Sequence, residues 1–323
     1  MAGEGARLRG YWKGITREEA LYGCQFWQRS FYLESLGFKP FPWQADVVDR
    51  RHRRLIINGA RQIGKSTIVA SIPAHTARFH AGSLSLIGAP TEAQAHETMR
   101  KVMRFISLDP GYPKLLKSST EEIELETGSR ILVRAANPDT FRGYSKPRVI
   151  ILDEASRIED ETYASGVRPM LTDNPEGELI LISTPFGREG FFYEAFTGND
   201  GTWARYEVRS PYEPAGEGVA AHLETHMDEA EYTETMARRN IHACYSPRHM
   251  NLQEQTEQLR AMKRQQYLQE YCCEFVERQG QVFSYDEIQA MFSMGADASP
   301  MAGALEPGDR GGGFFGRVRG GMA

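Results

Sequence analysis

The sequence predicts an α/β fold, a mainly parallel sheet flanked by helices, with a small helical subdomain after it. Three observations predict it. From Leu55 onward, strand, loop and helix patterns alternate, which implies right-handed crossovers between parallel strands. Val149-Ile150-Ile151-Leu152 and Leu179-Ile180-Leu181-Ile182 are unbroken apolar runs, the pattern of parallel strands covered on both faces. After about Ser210 the chain turns polar and rich in Glu, Gln and Arg, a composition that favours helix.

Each element has its own reason. Thr16-Arg17-Glu18-Glu19 reads as a capping box, opening a helix that runs to about Leu36 and stops at Gly37, with Leu21, Tyr22, Phe26, Leu33 and Leu36 as its buried face. Residues 1–40 are thus an N-terminal helical extension. The elbow Pro40-Phe41-Pro42-Trp43-Gln44 leads into a second helix. Arg50 to Arg54 form a basic cluster at its end, where positive charge suits the helix dipole. Leu55-Ile56-Ile57 is a short buried strand, Lys65 to His80 a helix, Leu84 to Ile87 a strand and Glu92 to Ile106 a helix. Thr127-Gly128-Ser129 joins Ile123-Glu124-Leu125 to Arg130-Ile131-Leu132-Val133 as a hairpin. Residues 41–210 make the core and 211–292 the helical subdomain. The latter holds a long helix from Asn251 to Tyr271 and a last strand at Gln281-Val282-Phe283. Residues 293–323 are Gly, Ala, Pro and Arg and read as a disordered tail, since they hold too little apolar surface to fold.

Composition narrows the function. Of 323 residues 41% are hydrophobic and 25% charged, a profile of soluble globular domains. The net charge of −5 argues against static nucleic-acid binding along the whole surface, so any such contact is local. No apolar run approaches the roughly 18 residues of a membrane span, and the polar start lacks a signal-peptide core, so cytoplasm is the expectation. Cys24, Cys244, Cys272 and Cys273 have neither metal-ligand spacing nor a disulfide framework. His222-Leu223-Glu224-Thr225-His226 puts two histidines on one helical face, but the zinc-protease order is His-Glu-x-x-His. A solvated helix is the better reading.

Gly59-Ala60-Arg61-Gln62-Ile63-Gly64-Lys65-Ser66, followed by Thr67, carries the chemistry. It has the spacing of a Walker A loop, in which glycines let backbone N–H groups wrap phosphates. Lys65 would reach the β- and γ-phosphates of ATP, and Ser66 would ligate magnesium. A strand precedes the loop, and a helix whose positive N-terminus faces the same site follows it. Asp153 and Glu154 end the apolar run Val149–Leu152, at the strand edge where open α/β sheets bind ligands. Asp153 would hold magnesium, and Glu154 would orient and deprotonate the attacking water. An acid directly after that aspartate places the chain among P-loop ATPases with an additional strand and a catalytic glutamate. Ser183-Thr184-Pro185 ends the next apolar run. Its hydroxyls are either sensors of the γ-phosphate or a turn with a Ser/Thr cap.

The series Pro42-Trp43-Gln44, the Walker A loop, Phe141-Arg142-Gly143-Tyr144-Ser145, Leu152-Asp153-Glu154-Ala155 and Ser183-Thr184-Pro185 resembles the large terminase subunit of tailed bacteriophages and prophages. The Arg61-Gln62 pair inside the loop and the stretch Arg142-Gly143-Tyr144-Ser145 are its distinguishing marks. Tyr267 to Phe283 is also similar to the end of that family's ATPase region. The resemblance implies a motor that hydrolyses ATP to drive double-stranded DNA into a procapsid. It further implies a ring of subunits on the portal protein, a small terminase subunit as partner, and the cytoplasm of a bacterial host. Gln44 resembles the glutamine that reads adenine, though a helix-start role would use the same residue. Arg61 resembles an arginine acting within the subunit. Arg142 resembles the arginine finger offered to a neighbour's ATP, against a surface salt bridge as the plainer reading. Thr184, with Ser183, resembles the motif coupling hydrolysis to movement.

The sequence departs from that family in one respect. A full large terminase carries a second, nuclease domain with clustered acids. The residues after Phe292 are few and Gly-rich, so no nuclease is expected, and Asp286 and Glu287 read as a helix start. The alternatives are a helicase-like DNA translocase and a nucleotide-binding assembly protein without turnover. The basic cluster Arg100, Lys101 and Arg104 reads as a solvated helix face.

Overall fold

The computed structural model describes residues 16–172, 174–199, 201–210, 229–247 and 252–277. Helix α1 (Arg17–Trp27) opens on the expected capping box, with Glu19 N donating to Thr16 Oγ1 at 3.1 Å and Thr16 N to Glu19 Oε2 at 2.7 Å. The single helix expected to reach Leu36 is instead two. The chain is extended at Gln28 (φ −122°, ψ 105°) before α2 (Arg29–Ser35). The break turns α2 inward. Arg29 forms a two-bond pair with Glu178, and Ser30 N donates to Asp49 Oδ1 at 2.8 Å. The expected apolar face of α1 is not buried, and Leu21 and Tyr22 are each 46% exposed. Tyr32 and Leu33 of α2 carry the burial.

Helix α3 (Pro42–Asp49) starts with proline in its first turn, where the missing N–H costs nothing. The core then runs β1 (Arg54–Gly59), α4 (Lys65–Phe79), β2 (Leu84–Ala89), α5 (Glu92–Leu108), β3 (Leu115–Ser118), β4 (Glu122–Leu125), β5 (Arg130–Ala135) and α6 (Pro138–Phe141). Strand β6 (Val149–Asp153) leads through a 3-10 turn (Ala155–Arg157) and a π-helical turn (Thr162–Val167) into α7 (Arg168–Thr172). Then follow β7 (Glu178–Ser183), α8 (Gly190–Thr197), β8 (Ala204–Arg209), α9 (Glu229–Arg238), β9 (Ile241–Tyr245), α10 (Leu252–Ala261) and α11 (Arg264–Cys272).

One sheet takes all nine strands, in the order β3-β4-β5-β2-β6-β7-β1-β8-β9. From β5 to β9 every pairing is parallel, and the expected hairpin supplies the antiparallel edge. Strand β7 lies between β1 and β6 and is the additional strand of this P-loop class. Asn58 is opposite Ser183 and Asp153 opposite Ile182, so the C-terminal ends of β1, β6 and β7 lie side by side. Both faces are covered, which is why the strands read as continuous apolar runs. Ile57, Ile151 and Ile182 pack with Ile68 and Val102 on one side. Ile56, Ile150 and Leu181 pack with Phe192 and Trp203 on the other.

Beyond Ser210 the helical expectation needs two corrections. Ile241–Tyr245 is a strand that extends the main sheet beside β8, because its alternate side chains pack on α9 and on Tyr206. The helix expected from Asn251 to Tyr271 is broken, with Lys263 extended (φ −67°, ψ 146°) between α10 and α11. Gln281-Val282-Phe283, Asp286, Glu287, His222, His226 and the tail 293–323 lie outside the described residues. Among the described residues no helix is long and apolar enough to cross a membrane.

Candidate functional site

The loop between β1 and α4 is shaped by two glycines. A Cβ on Gly59 would stand 2.8 Å from Lys65 Cδ and 2.9 Å from Ile63 Cδ1. Gly64 has φ +94°, in the left-handed region that side chains resist. Gln62 is left-handed as well, at φ 60°. Such turns point successive N–H groups into one concavity. The outer side of the loop is anchored. Ala60 N donates to Val208 O at 2.8 Å and Arg61 N to Glu270 O at 2.7 Å, tying the loop to β8 and α11. Lys65, in the first turn of α4, is buried, and its Nζ donates to Gly59 O and Ala60 O at 2.6 Å each. Burial lowers its pKa from the ordinary lysine value, while Glu154 and Asp153 oppose the shift.

The acids arrive from β6. Ser66 Oγ donates to Asp153 Oδ1 at 3.2 Å, and Thr98 Oγ1 of α5 donates to Asp153 Oδ2 at 2.9 Å. Thr98 has no role in the sequence reading. Its signal is a lone hydroxyl within the buried stripe Ala95, Thr98, Met99, Val102. Glu154 is left-handed (φ 52°) without being glycine, a conformation non-glycine residues rarely adopt and one that clusters at functional sites. Burial raises the pKa of its carboxyl, opposed first by Lys65. Its Oε2 lies 3.3 Å from Ser183 Oγ. Lys65, Ser66, Asp153, Glu154 and Ser183 therefore stand together at the ends of three neighbouring strands. Thr184 joins them through its backbone, its carbonyl accepting from Ser156 Oγ at 2.8 Å. Thr67 follows on α4, half-buried.

The remaining expected residues sit elsewhere or are otherwise engaged. Gln44 is buried with its Oε1 accepting from Phe41 N at 3.0 Å, the bond of a helix-start glutamine. Its Nε2 is the atom that a side chain on Gly64 would meet, at 3.0 Å. Arg61 has its side chain 60% exposed, with Nε 3.7 Å from the buried carboxylate of Glu270. Arg142 follows α6 and is 53% exposed. Its guanidinium lies 3.1 Å from Ser165 Oγ, 3.4 Å from Glu161 and 3.5 Å from Asp139. It opens with Tyr144 and Lys146 onto a cavity of about 320 Å³. None of these bonds reaches Lys65, Asp153 or Glu154. The basic residues Arg100, Lys101 and Arg104 lie on α5 on or near the surface, and Arg100 pairs with Glu97.

The profile of the family described as terminase large subunit, T4likevirus-type, N-terminal, matches residues 56–290. The chain is 29% identical over 191 residues to the terminase large subunit of Thermus phage G20c, and 29% identical over 184 residues to that of Thermus virus P23-45. Each match takes in 51% of this chain and 37% of the relative, so the chain spans little more than a third of these curated relatives. Its fold is similar to that of the large terminase ATPase domain of Thermus phage P74-26. That comparison has a TM-score of 0.52 at 21% identity and covers 76% of this chain and 97% of that domain. The anchored P-loop, the added strand β7 and the profile match across most of the chain lead to one assignment: this chain belongs to the large terminase subunit family, in the region of its N-terminal domain.

Proposed function

We propose that the chain binds ATP with magnesium at residues Gly59–Thr67 and hydrolyses it as the motor of double-stranded DNA packaging. The observation that carries this reading is the convergence of Lys65, the Ser66–Asp153 pair and Glu154 at the ends of β1 and β6. The loop's concavity suits phosphate oxygens, and the ammonium of Lys65 would exchange its two carbonyl partners for the β- and γ-phosphates. The hard oxygens of Ser66 and Asp153 fit magnesium. Among the described residues no group of three or more His, Cys, Asp or Glu could hold a metal by itself. That suits an ion bound by one carboxylate and a hydroxyl together with phosphate and water. When bound, magnesium would neutralise charge on the transferred phosphoryl group.

Glu154 is the base in this reading. Its carboxylate takes a proton from the water whose oxygen attacks the γ-phosphorus, and ADP leaves with the electron pair of the broken P–O bond. Arg142, half-exposed and held by acids on its own surface, serves a neighbouring subunit's phosphates in a ring. Arg61 links the loop to α11, and Gln44 sets the wall beside Gly64. Duplex DNA, the portal protein and a small terminase subunit are the partners of such a motor, acting in the host cytoplasm at the procapsid portal. The test is Glu154→Gln. It is expected to bind ATP with magnesium as tightly as the parent, within about twofold, and to lose turnover by about 10³-fold, since a positioned base contributes 10²–10⁴. Turnover within threefold of the parent would remove Glu154 from this role.

A further inference from the structure

Ser156 stands where two strand ends of the site meet, and neither the sequence motifs nor the family comparison gives it a role. It sits on the 3-10 turn after Glu154. Its Oγ lies 2.7 Å from Ser183 Oγ and donates to the Thr184 carbonyl at 2.8 Å. Ser183 Oγ is in turn 3.3 Å from Glu154 Oε2. Ser183 and Thr184 are both buried, whereas Glu154 and Ser156 are half-buried, so the chain of hydroxyls runs from the strand end out to the carboxylate.

A count of protons orders these contacts. Each serine hydroxyl has one proton to give and lone pairs to accept with, whereas the Thr184 carbonyl only accepts. The Ser156 proton therefore goes to Thr184, which leaves Ser156 Oγ as an acceptor facing Ser183. Ser183 then has one proton and two acceptors, Ser156 Oγ at 2.7 Å and the Glu154 carboxylate at 3.3 Å. The nearer oxygen draws it, and Glu154 keeps the weaker contact. If the Thr184 carbonyl withdraws, Ser156 turns its proton toward Ser183, and the Ser183 proton passes wholly to Glu154. We propose that Ser156 is a positioning residue that makes the donor covering Glu154 depend on where the Ser183–Thr184 turn sits. The proposal rests on Glu154 acting on water, and it gives that turn a physical route to the hydrolytic step.

The test is a double-mutant cycle on the full chain, read as steady-state ATP hydrolysis with magnesium. In Ser156→Ala the Ser183 proton is left to bond Glu154 Oε2, which weakens the carboxylate as a base. Turnover is expected to fall about tenfold, the scale of one hydrogen bond misplaced, with KM within about twofold. Ser156→Thr, which keeps the hydroxyl, is expected to restore turnover to within about threefold. The double variant Ser156→Ala/Ser183→Ala is expected to match Ser183→Ala alone, because the effect of Ser156 on Glu154 passes through Ser183. Losses that multiply in the double variant would overturn the proposal, as would unchanged turnover in Ser156→Ala or a failure of the threonine to rescue. Absence of turnover in the parent would overturn the ATPase reading and this proposal with it. Turnover in the parent with multiplying losses overturns this proposal alone.

Discussion

The Walker A loop and the stretch around Arg142 are both loops of the same core, and they are built in opposite ways. Residues 59–66 are bonded into the core, with only the side chains of Arg61 and Gln62 exposed. Their outer amides are bonded to Val208 and Glu270, their lysine is buried, and their serine meets Asp153. Arg142 turns outward. It is half-exposed and rests on Ser165, Glu161 and Asp139, pairs of the exposed kind that contribute little to stability. The contrast teaches which parts of the site one chain assembles by itself. In the proposed reading, phosphate loop, metal donors and base are bonded into the core, whereas the arginine proposed to serve another subunit has only exposed contacts on its own chain.

The largest effect expected from this contrast belongs to Arg142. Arg142→Ala should bind ATP normally and lose turnover by about 10³-fold, the lower range for an arginine finger. Mixing it with a Lys65→Ala variant should restore part of the activity, because in mixed rings the intact Arg142 of one chain meets the intact loop of the other. Normal turnover in Arg142→Ala, or the absence of any rescue, would break the comparison. A smaller effect sharpens the inward side. Thr98→Val removes one of the two hydroxyls on Asp153 while keeping the shape of the side chain. It should raise the magnesium concentration needed for half-maximal ATP binding by about tenfold, as a hydrogen bond to a charged group is worth about 1.5 kcal/mol or more. An unchanged magnesium titration would mean that Thr98 does not position Asp153.

What could be read from the sequence was local in origin. The phosphate loop must carry its glycines, lysine and serine in one short run, and β6 and β7, covered on both faces, must be apolar throughout. Those constraints are visible in Gly59–Ser66, Val149–Asp153 and Leu179–Ile182. What could not be read depends on distant contacts. Helix α1 breaks at Gln28 because Arg29 is drawn to Glu178, far away in the chain. Ile241–Tyr245 becomes a strand because β8 offers it an edge, although its own five residues lie in a polar, helix-prone stretch. Thr98 and Ser156 gain meaning only when α5 and the end of β7 come alongside β6. Glu270 is likewise tied to the loop through Arg61 by the folded path of α11.

The central claim is that a magnesium-bound triphosphate rests in the loop before Lys65, across from Asp153. Calorimetric titration of ATP into the full chain and into Lys65→Ala, each with and without magnesium, tests it most directly. The parent should bind with micromolar affinity only when magnesium is present. Lys65→Ala should lose at least about 100-fold, as expected when a buried charge-assisted contact to phosphate is removed. Equal affinity with and without magnesium, or equal affinity in parent and variant, would contradict the account.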